Sequence, residues 1–202
     1  MYRGAAECRV VVGARRYGLS MMMYTALLRG IMPSNPNMSN EKLRAVFTGL
    51  GFESVASVLA SGNIVFRADP AEVSVLEDRV QNALNAELGI PGGTIIRDHT
   101  ELRALLDSDP FEGLTHGRST YLTATFLKGA GRAPVEPPGD PDPRTRVVGY
   151  DPAARVFLAV IDNSTPTTPN FMAWLERTHG KNITTRTWLT VQRVVKKMES
   201  LK

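Results

Sequence analysis

The chain has 202 residues, with 24 basic and 20 acidic side chains, a formal net charge of +4 and 43% hydrophobic residues. These values are typical of a globular protein and exclude wholesale disorder and collagen-like repeats. At this length, folding buries roughly 70% of the surface of the unfolded chain, which suffices for one large core or two small ones.

The first predicted elements are a strand and a short helix. Met22–Leu28 has the β-branched and aromatic content of a strand. Ser39 or Asn40 is a suitable N-cap for a helix whose apolar residues recur at helical spacing, and Gly51 is a suitable residue to follow it.

A hairpin follows the first helix. Residues 55–60 and 64–67 are two strand-like runs. Ser61, Gly62 and Asn63 join them, and these residue types favour a tight hairpin turn.

A second helix and a fourth strand complete the first half. Asp69 as N-cap and Pro70 in the first turn predict where this helix begins, and Gly89 predicts where it ends. Residues 94–97 form the strand. The order is therefore βαββαβ, which is that of ferredoxin-like folds, and it predicts an antiparallel sheet with both helices on one face.

The second half repeats much of this order. Residues 101–106 predict a short helix, residues 120–127 a strand, and residues 147–150 and 156–161 a hairpin. The segment 129–143 holds five prolines and three glycines and cannot form a regular helix interior.

A further helix, predicted to begin at Thr168-Pro169, includes Phe171, and Ile183 predicts a brief strand. Residues 188–201 predict a final helix. Its apolar face consists of Trp188, Val191, Val195 and Met198, and its basic face of Arg193, Lys196 and Lys197.

We therefore predict an α+β fold of two tandem ferredoxin-like units, residues 21–98 and 99–202. In the second unit, the Pro-rich loop replaces the first helix, and the final helix is an addition.

The net charge is unevenly distributed. Residues 1–20 carry four basic and one acidic group, residues 21–176 carry 13 and 18, and residues 177–202 carry seven and one. The first 20 residues also lack a sustained period, so we expect a flexible arm or a start codon assigned too early, with a nucleic-acid-binding arm as the alternative. The argument for nucleic acid as a partner rests on the C-terminal segment.

The cellular compartment is predicted from cysteine usage. Cys8 is the single cysteine, which excludes an intrachain disulfide and favours a cytoplasmic protein. No run approaches the roughly 20 apolar residues of a membrane helix, so we expect no membrane partner.

Four blocks of sequence resemble the hallmarks of one bacterial family. They are YTALLRGI at residues 24–31, LRAVFTGLGF at 43–52, SGNIVF at 61–66 and ITTRTWLTV at 183–191, with a weaker block, DSDPF, at 107–111. In this order and spacing they are similar to the domain of unknown function 1697 over about residues 21–200. The resemblance implies a duplicated α+β fold with ferredoxin-like halves and no agreed activity. Where the family has a glycine-rich loop after LRGI, this chain has MPSNP at residues 32–36.

The sequence offers no metal or cofactor site. His99, His116 and His179 stand apart from one another without a ligand motif. Asp140 and Asp142 lie in the Pro-rich loop, where a solvated role is favoured over acid–base chemistry.

Candidate ligand-binding residues lie at the ends of predicted strands. Arg29, followed by Gly30, can clamp a carboxylate or phosphate, or it can tie down its loop through carbonyls or an acidic partner. Ser61 and Asn63 can contact a ligand, although turn geometry alone explains both residues and is the favoured interpretation.

A second candidate lies at the start of the last helix. Thr184, Thr185 and Arg186 place hydroxyls and a cation where anions bind, and Trp188 can stack on a base. The structural alternative is a threonine cap, an arginine ion pair and a tryptophan in the core.

Three hypotheses for function follow. The first is a non-enzymatic protein that binds an anionic ligand, or nucleic acid through Arg193, Lys196 and Lys197. The second is an enzyme that acts on a small anionic substrate in a cleft between the two units. The third is an interaction module, as a monomer or a homodimer.

Overall fold

The computed structural model of the chain describes residues 20–129, 143–165 and 170–201. Within these ranges, the chain forms eight strands and five α-helices. The strands make two four-stranded antiparallel sheets. The prediction of an α+β fold with two ferredoxin-like units is confirmed. The expectations for the first 19 residues, for Asp140 and Asp142 and for a helix start at Thr168-Pro169 fall outside the described residues.

The first unit has the predicted order of elements. They are β1 (Met22–Leu28), α1 (Asn40–Gly49), β2 (Glu53–Ser57), β3 (Asn63–Ala68), α2 (Val73–Leu88) and β4 (Thr94–Asp98). The next helix, α3 (His99–Asp107), follows β4 directly and begins the second unit. The strands are ordered β2-β3-β1-β4, and the neighbouring strands are antiparallel. This is the strand order that a βαββαβ chain produces when each helix crosses the same face of the sheet.

The second unit repeats the strand order. It contains β5 (Tyr121–Leu127), β6 (Thr145–Asp151), β7 (Val156–Ile161), α4 (Asn170–His179), β8 (Ile183–Thr187) and α5 (Trp188–Glu199). The sheet order is β6-β7-β5-β8, so that β5 and β8 correspond to β1 and β4 of the first unit. The strand at Ile183 is longer than predicted and runs directly into α5.

The predicted start of α2 is wrong. Asp69 and Pro70 precede the helix, which begins at Val73 with Glu72 as an N-cap that has no side-chain cap bond. Asp69 and Gly51 both line a depression at the end of α1. The predicted end is confirmed, because Gly89 adopts the left-handed conformation that closes the helix.

The two units share the largest hydrophobic cluster. It combines Met23, Leu27 and Val65 of the first sheet with residues of β5, β7, α3 and α5. A second cluster lies between the first sheet and α1 and α2, and a third between the second sheet and α4. The helices that follow β4 and β8 therefore form a layer between the two sheets.

The helices within the described ranges are too short or too polar to cross a lipid bilayer.

Candidate functional site: a cleft between the two units

Arg97 and Arg186 occupy equivalent positions in the two units. Arg97 on β4 pairs in register with Thr25, three residues before the end of β1. Arg186 on β8 pairs with Ala124, three residues before the end of β5. Each arginine directly precedes the N-cap residue of the following helix, so the same geometry directs both side chains to the junction between the units.

Arg186 reaches from the second unit into the first. Its guanidinium donates to the Leu28 carbonyl at 2.7 Å, to the Ser61 carbonyl at 3.4 Å and to Asn63 Oδ1 at 2.6 Å. It also donates to Thr184 Oγ1 at 2.7 Å and to the Thr185 carbonyl at 2.9 Å in its own strand. These five bonds engage all five N–H groups. Burial lowers the pKa of Arg186 to about 10, because the charged form loses its water.

Arg97 makes the reciprocal contacts. It donates to the Leu127 carbonyl at 2.6 Å and the Ala154 carbonyl at 2.7 Å, both in the second unit, and to the Ile96 carbonyl at 2.6 Å in its own strand. Its guanidinium also lies 5.7 Å from the centre of the Phe126 ring. The side chain is fully buried. That burial is the main reason why its pKa falls to about 10.

A second reciprocal pair lies just beyond β1 and β5. Arg29 donates to Glu176 of α4 at 3.0 Å and to the Ile183 carbonyl at 3.1 Å. Lys128, which follows β5 as Arg29 follows β1, donates to Asp78 of α2 at 3.2 Å. Each unit therefore places one surface cation against a carboxylate on a helix of the other unit.

The junction at Arg29 contains an open cleft of about 360 Å³. It brings together six of the residues that the sequence singles out, from both halves of the chain. The residues that line it are Leu28, Arg29, Gly30, Ile31, Ser61, Met172, Glu176, Ile183, Thr184, Thr185 and Arg186.

Asn63 and Trp188 stand apart from this cleft. Asn63 is buried at the start of β3, where its Oδ1 accepts from Arg186 and its amide N–H donates to the Val58 carbonyl at 2.9 Å. Trp188 points into the shared core and packs edge-on against Phe111 at 5.1 Å between ring centres. Base stacking by Trp188 is therefore not available at this cleft, because the first residue of α5 begins the buried face of that helix.

The two junctions differ in charge. At the cleft, Arg29 and Arg186 face one carboxylate, that of Glu176. At the other junction, the cations are Arg97, Lys128 and Arg155, and the carboxylates are those of Glu77, Asp78 and Glu101. The buried Glu77 accepts through Oε1 from the Ile96 N–H at 3.0 Å. Among the described residues of the two junctions, basic side chains therefore outnumber acidic ones at the cleft alone.

The hydroxyl groups of the cleft are already engaged. Thr184 Oγ1 accepts from Arg186, Thr185 Oγ1 shares a hydrogen bond of 2.8 Å with Thr125 Oγ1, and Ser61 Oγ accepts from Asn63 at 3.0 Å. Of the described residues that line the cleft, none is a histidine, cysteine or lysine. The arrangement suits the binding of an anion better than nucleophilic chemistry, which needs a hydroxyl or thiol beside a free base.

The basic face of α5 lies at a different surface. Arg193, Lys196 and Lys197 border a groove of about 470 Å³, whose other wall is residues 57–59. The turn between β2 and β3 thus contributes Ser61 to the cleft and its preceding residues to this groove. Structure and sequence agree that these cations occupy the solvent side of α5.

The histidines are dispersed, and the described part of the chain holds no cluster of three or more metal-ligating side chains. His99 lies 3.3 Å from Glu199, and His116 Nδ1 accepts from the Leu122 N–H at 3.3 Å. His179 packs against Trp174 and Phe157, and burial lowers its pKa.

Several residues of the junctions, among them Arg97 and Glu176, were not singled out from the sequence. A signal for Arg97 was available, because this arginine lies near the end of a strand and directly precedes the N-cap residue of the next helix. Arg186 has the same position in the second unit. Glu176 carries no such signal, since its role depends on the approach of α4 to the other unit.

A family model described as Protein of unknown function (DUF1697) matches residues 21–141, which is more than half of the chain. The chain belongs to this family. The matched region covers the whole first unit and β5, and thus includes Arg29, Gly30, Ser61 and Asn63 of the candidate residues. No curated protein matches the chain.

A solved structure shows the same fold. It is described as the structure of conserved bacterial protein SP0830 from Streptococcus pneumoniae, with a TM-score of 0.66 and 15% sequence identity. The alignment covers 89% of this chain and 99% of that one. The arrangement of two sheets is therefore shared across most of both molecules.

Proposed function

We propose that the chain binds a small molecule with a carboxylate or phosphate group in the cleft between its two units. The observation that carries this proposal is the excess of positive charge at the cleft: the hydrogen-bond acceptors of Arg186 are carbonyls, an amide and a hydroxyl, and none of them is a carboxylate. Its charge is held in place by the fold but is not neutralised by it, and an anion would supply that neutralisation.

Arg29 is the residue expected to contact the ligand. Its side chain is 31% exposed, and its partner Glu176 is 60% exposed. An ion pair at this exposure contributes about 0–1 kcal/mol, so a ligand anion displaces Glu176 at little cost. Arg186 has no N–H group to spare and acts through its charge, which makes it a positioning residue for the cleft.

The size of the cleft favours a small ligand. A volume of about 360 Å³ is near the lower end of the range for small-molecule sites. Ile31 and Met172 contribute apolar surface to the lining beside the cations. A compact acid with a short apolar body fits this lining better than an extended polymer.

The first prediction tests the cleft by substitution of Arg29. Arg29→Ala removes the exchangeable cation and is expected to weaken binding of a small carboxylate, such as succinate, or of inorganic phosphate by about tenfold or more. Glu176→Gln removes the competing carboxylate and is expected to tighten binding. Isothermal titration calorimetry measures both effects.

Lys128→Ala is the matched control, because Lys128 makes the equivalent ion pair at the other junction. Its effect on anion binding should be small. Equal losses in Arg29→Ala and Lys128→Ala would show that general charge, and not the cleft, attracts the anion. Absence of heat with every small anion tested would also contradict the proposal.

A further inference from the structure

The groove beside α5 is lined by cations without acidic neighbours. Seven described residues line it, of which Arg193, Lys196 and Lys197 are basic and none is acidic. No ion pair to another described residue involves these three side chains. The acidic residue of the same helix, Glu199, lies within 3.3 Å of His99 and 3.7 Å of Arg103 on α3. Its charge is therefore directed away from the groove.

The fold fixes the direction of the three cations. The opposite face of α5 is buried against both sheets, through residues that include Val191, Val194 and Met198. Lys196 and Lys197 follow Arg193 by three and four positions, so the Cβ atom of each lysine lies about 5–6 Å from that of Arg193 on the helix surface. If the helix rotated to turn these cations away from the groove, its buried apolar residues would be exposed to water.

The other wall of the groove is the strand end and turn at residues 57–59. The Leu59 carbonyl accepts from Asn40 Nδ2 at 2.9 Å, and Ser57 Oγ accepts from Arg44 at 2.8 Å. These bonds tie the wall to α1 and bring a fourth cation, that of Arg44, next to it. Leu59 is 42% exposed and has a positive φ of 60°.

We propose that this groove binds the phosphodiester backbone of a nucleic acid without sequence preference. A row of unpaired cations on a rigid helix complements a chain of regularly spaced phosphates, and each neutralised phosphate releases counterions. Among the described residues that line the groove, none is an aromatic on which a base could stack. The contacts therefore reach the backbone and not the bases.

An acidic peptide is the competing occupant and fits less well. Peptide partners are usually anchored by buried apolar or aromatic side chains in pockets. Here the exposed apolar surface of the groove is limited to Leu59, because Val58 is only 8% exposed. Charge, rather than apolar contact, dominates the lining.

The second prediction is tested by salt-dependent binding. Fluorescence anisotropy of a labelled dT strand of about 20 nucleotides is measured against the full chain at several salt concentrations. Three phosphate contacts predict a slope of log K against log salt of about −2 for a single strand. The variant with Arg193→Ala, Lys196→Ala and Lys197→Ala should lose most of that slope and at least tenfold in affinity.

A second triple variant controls for net charge. Arg118→Ala, Arg146→Ala and Arg177→Ala remove the same charge from exposed positions of the second unit, and this variant should retain both affinity and slope. Equal losses in both triple variants would overturn the groove as the site. Displacement of the strand by a poly-glutamate peptide at equal charge concentration would overturn the choice of nucleic acid over an acidic partner. Arg29→Ala should leave strand binding unchanged, which separates this test from that of the cleft.

Discussion

Buried charge lies along the junction between the units, in Arg97, Arg186 and Glu77. Both arginines donate hydrogen bonds to carbonyls of the opposite unit. Glu77 is fully buried, and its Oε2 has no hydrogen-bond partner. Burial raises the pKa of Glu77 above its usual value, although the nearby Arg97, Lys128 and Arg155 act in the opposite direction.

The third prediction concerns the charge of Glu77. Because the pKa is raised in the folded state, the folded protein binds a proton more readily than the unfolded chain does, and stability falls as pH rises from 4.5 through the raised pKa. Glu77→Gln keeps an acceptor for the Ile96 N–H and removes the charge. We expect it to raise the free energy of unfolding at neutral pH by about 1 kcal/mol. Urea unfolding at several pH values should show this gain diminishing towards pH 4.5.

Asp78→Asn is the control for this prediction. Asp78 is the next residue in α2, but it is 71% exposed in its ion pair with Lys128, so its neutralisation should change stability little. A Glu77→Gln variant that is less stable at every pH would mean that attraction to Arg97 outweighs the cost of burial.

Individual buried charges could not be foreseen from the sequence. An arginine in a strand is ordinarily exposed, and Arg97 is buried only because a loop of the second unit covers it. The positions of Arg29, Ser61 and Arg186 at strand ends and turns are readable locally, but their meeting at one cleft depends on how the two units pack. Glu176 joins them only through tertiary packing.

Among the elements, the turn between β2 and β3 connects the core, the cleft and the basic groove. Gly62 has a φ of +74°, and a Cβ added there would lie 2.5 Å from Ile31 Cγ1. The Gly62 carbonyl also accepts from the Leu28 N–H at 2.8 Å. Conformation and lack of space therefore both require glycine at this position.

The fourth prediction compares two glycines of the first unit. Gly62→Ala is expected to lower the free energy of unfolding by about 2 kcal/mol, through strain and a clash with Ile31. Gly49→Ala in α1 adds a Cβ in open space with an ordinary φ, and is expected to raise it by about 0.5–1 kcal/mol. Thermal and urea unfolding of both variants measure the two effects, and a loss in Gly49→Ala similar to that in Gly62→Ala would contradict this account.

Strands and helix ends were largely predictable, because they depend on local patterns. The bounds of β1 and β7 match the prediction, and α2 ends at Gly89 as predicted. The predicted start of α2 was wrong because Asp69 and Pro70 suit an extended segment as well as a helix start. The local sequence does not decide between these two conformations.

At the scale of the whole molecule, the shared cluster makes each unit depend on the other. In isolation, the first unit would expose Met23, Leu27 and Val65 to water, and Arg97 would lose its acceptors on the second unit. Hydrophobic periodicity indicates that a strand or helix has a buried face, but it does not identify the element that covers that face. The central layer was therefore beyond what the sequence alone predicts.

The fifth prediction is a single cooperative unfolding transition. Because both units contribute to one core, calorimetry should give equal calorimetric and van't Hoff enthalpies. Arg186→Met should move that transition to lower temperature without splitting it. Two resolved transitions, in the wild type or in this variant, would show that the units unfold independently.

The arginines of the two units make reciprocal contacts, as the residues of a symmetric dimer do. In each half, one arginine donates hydrogen bonds to the hairpin and first strand of the other half. In each half, a second cation forms an ion pair with a helix of the other half. Such reciprocity, in which residue i of one copy meets residue j of the next and the reverse, is the signature of an isologous two-fold dimer. The chain thus has the form of a two-fold homodimer joined into one polypeptide, with two equivalent junctions. The carboxylates of Glu77 and Asp78 lie at one junction, whereas the cleft at the other junction keeps an excess of positive charge.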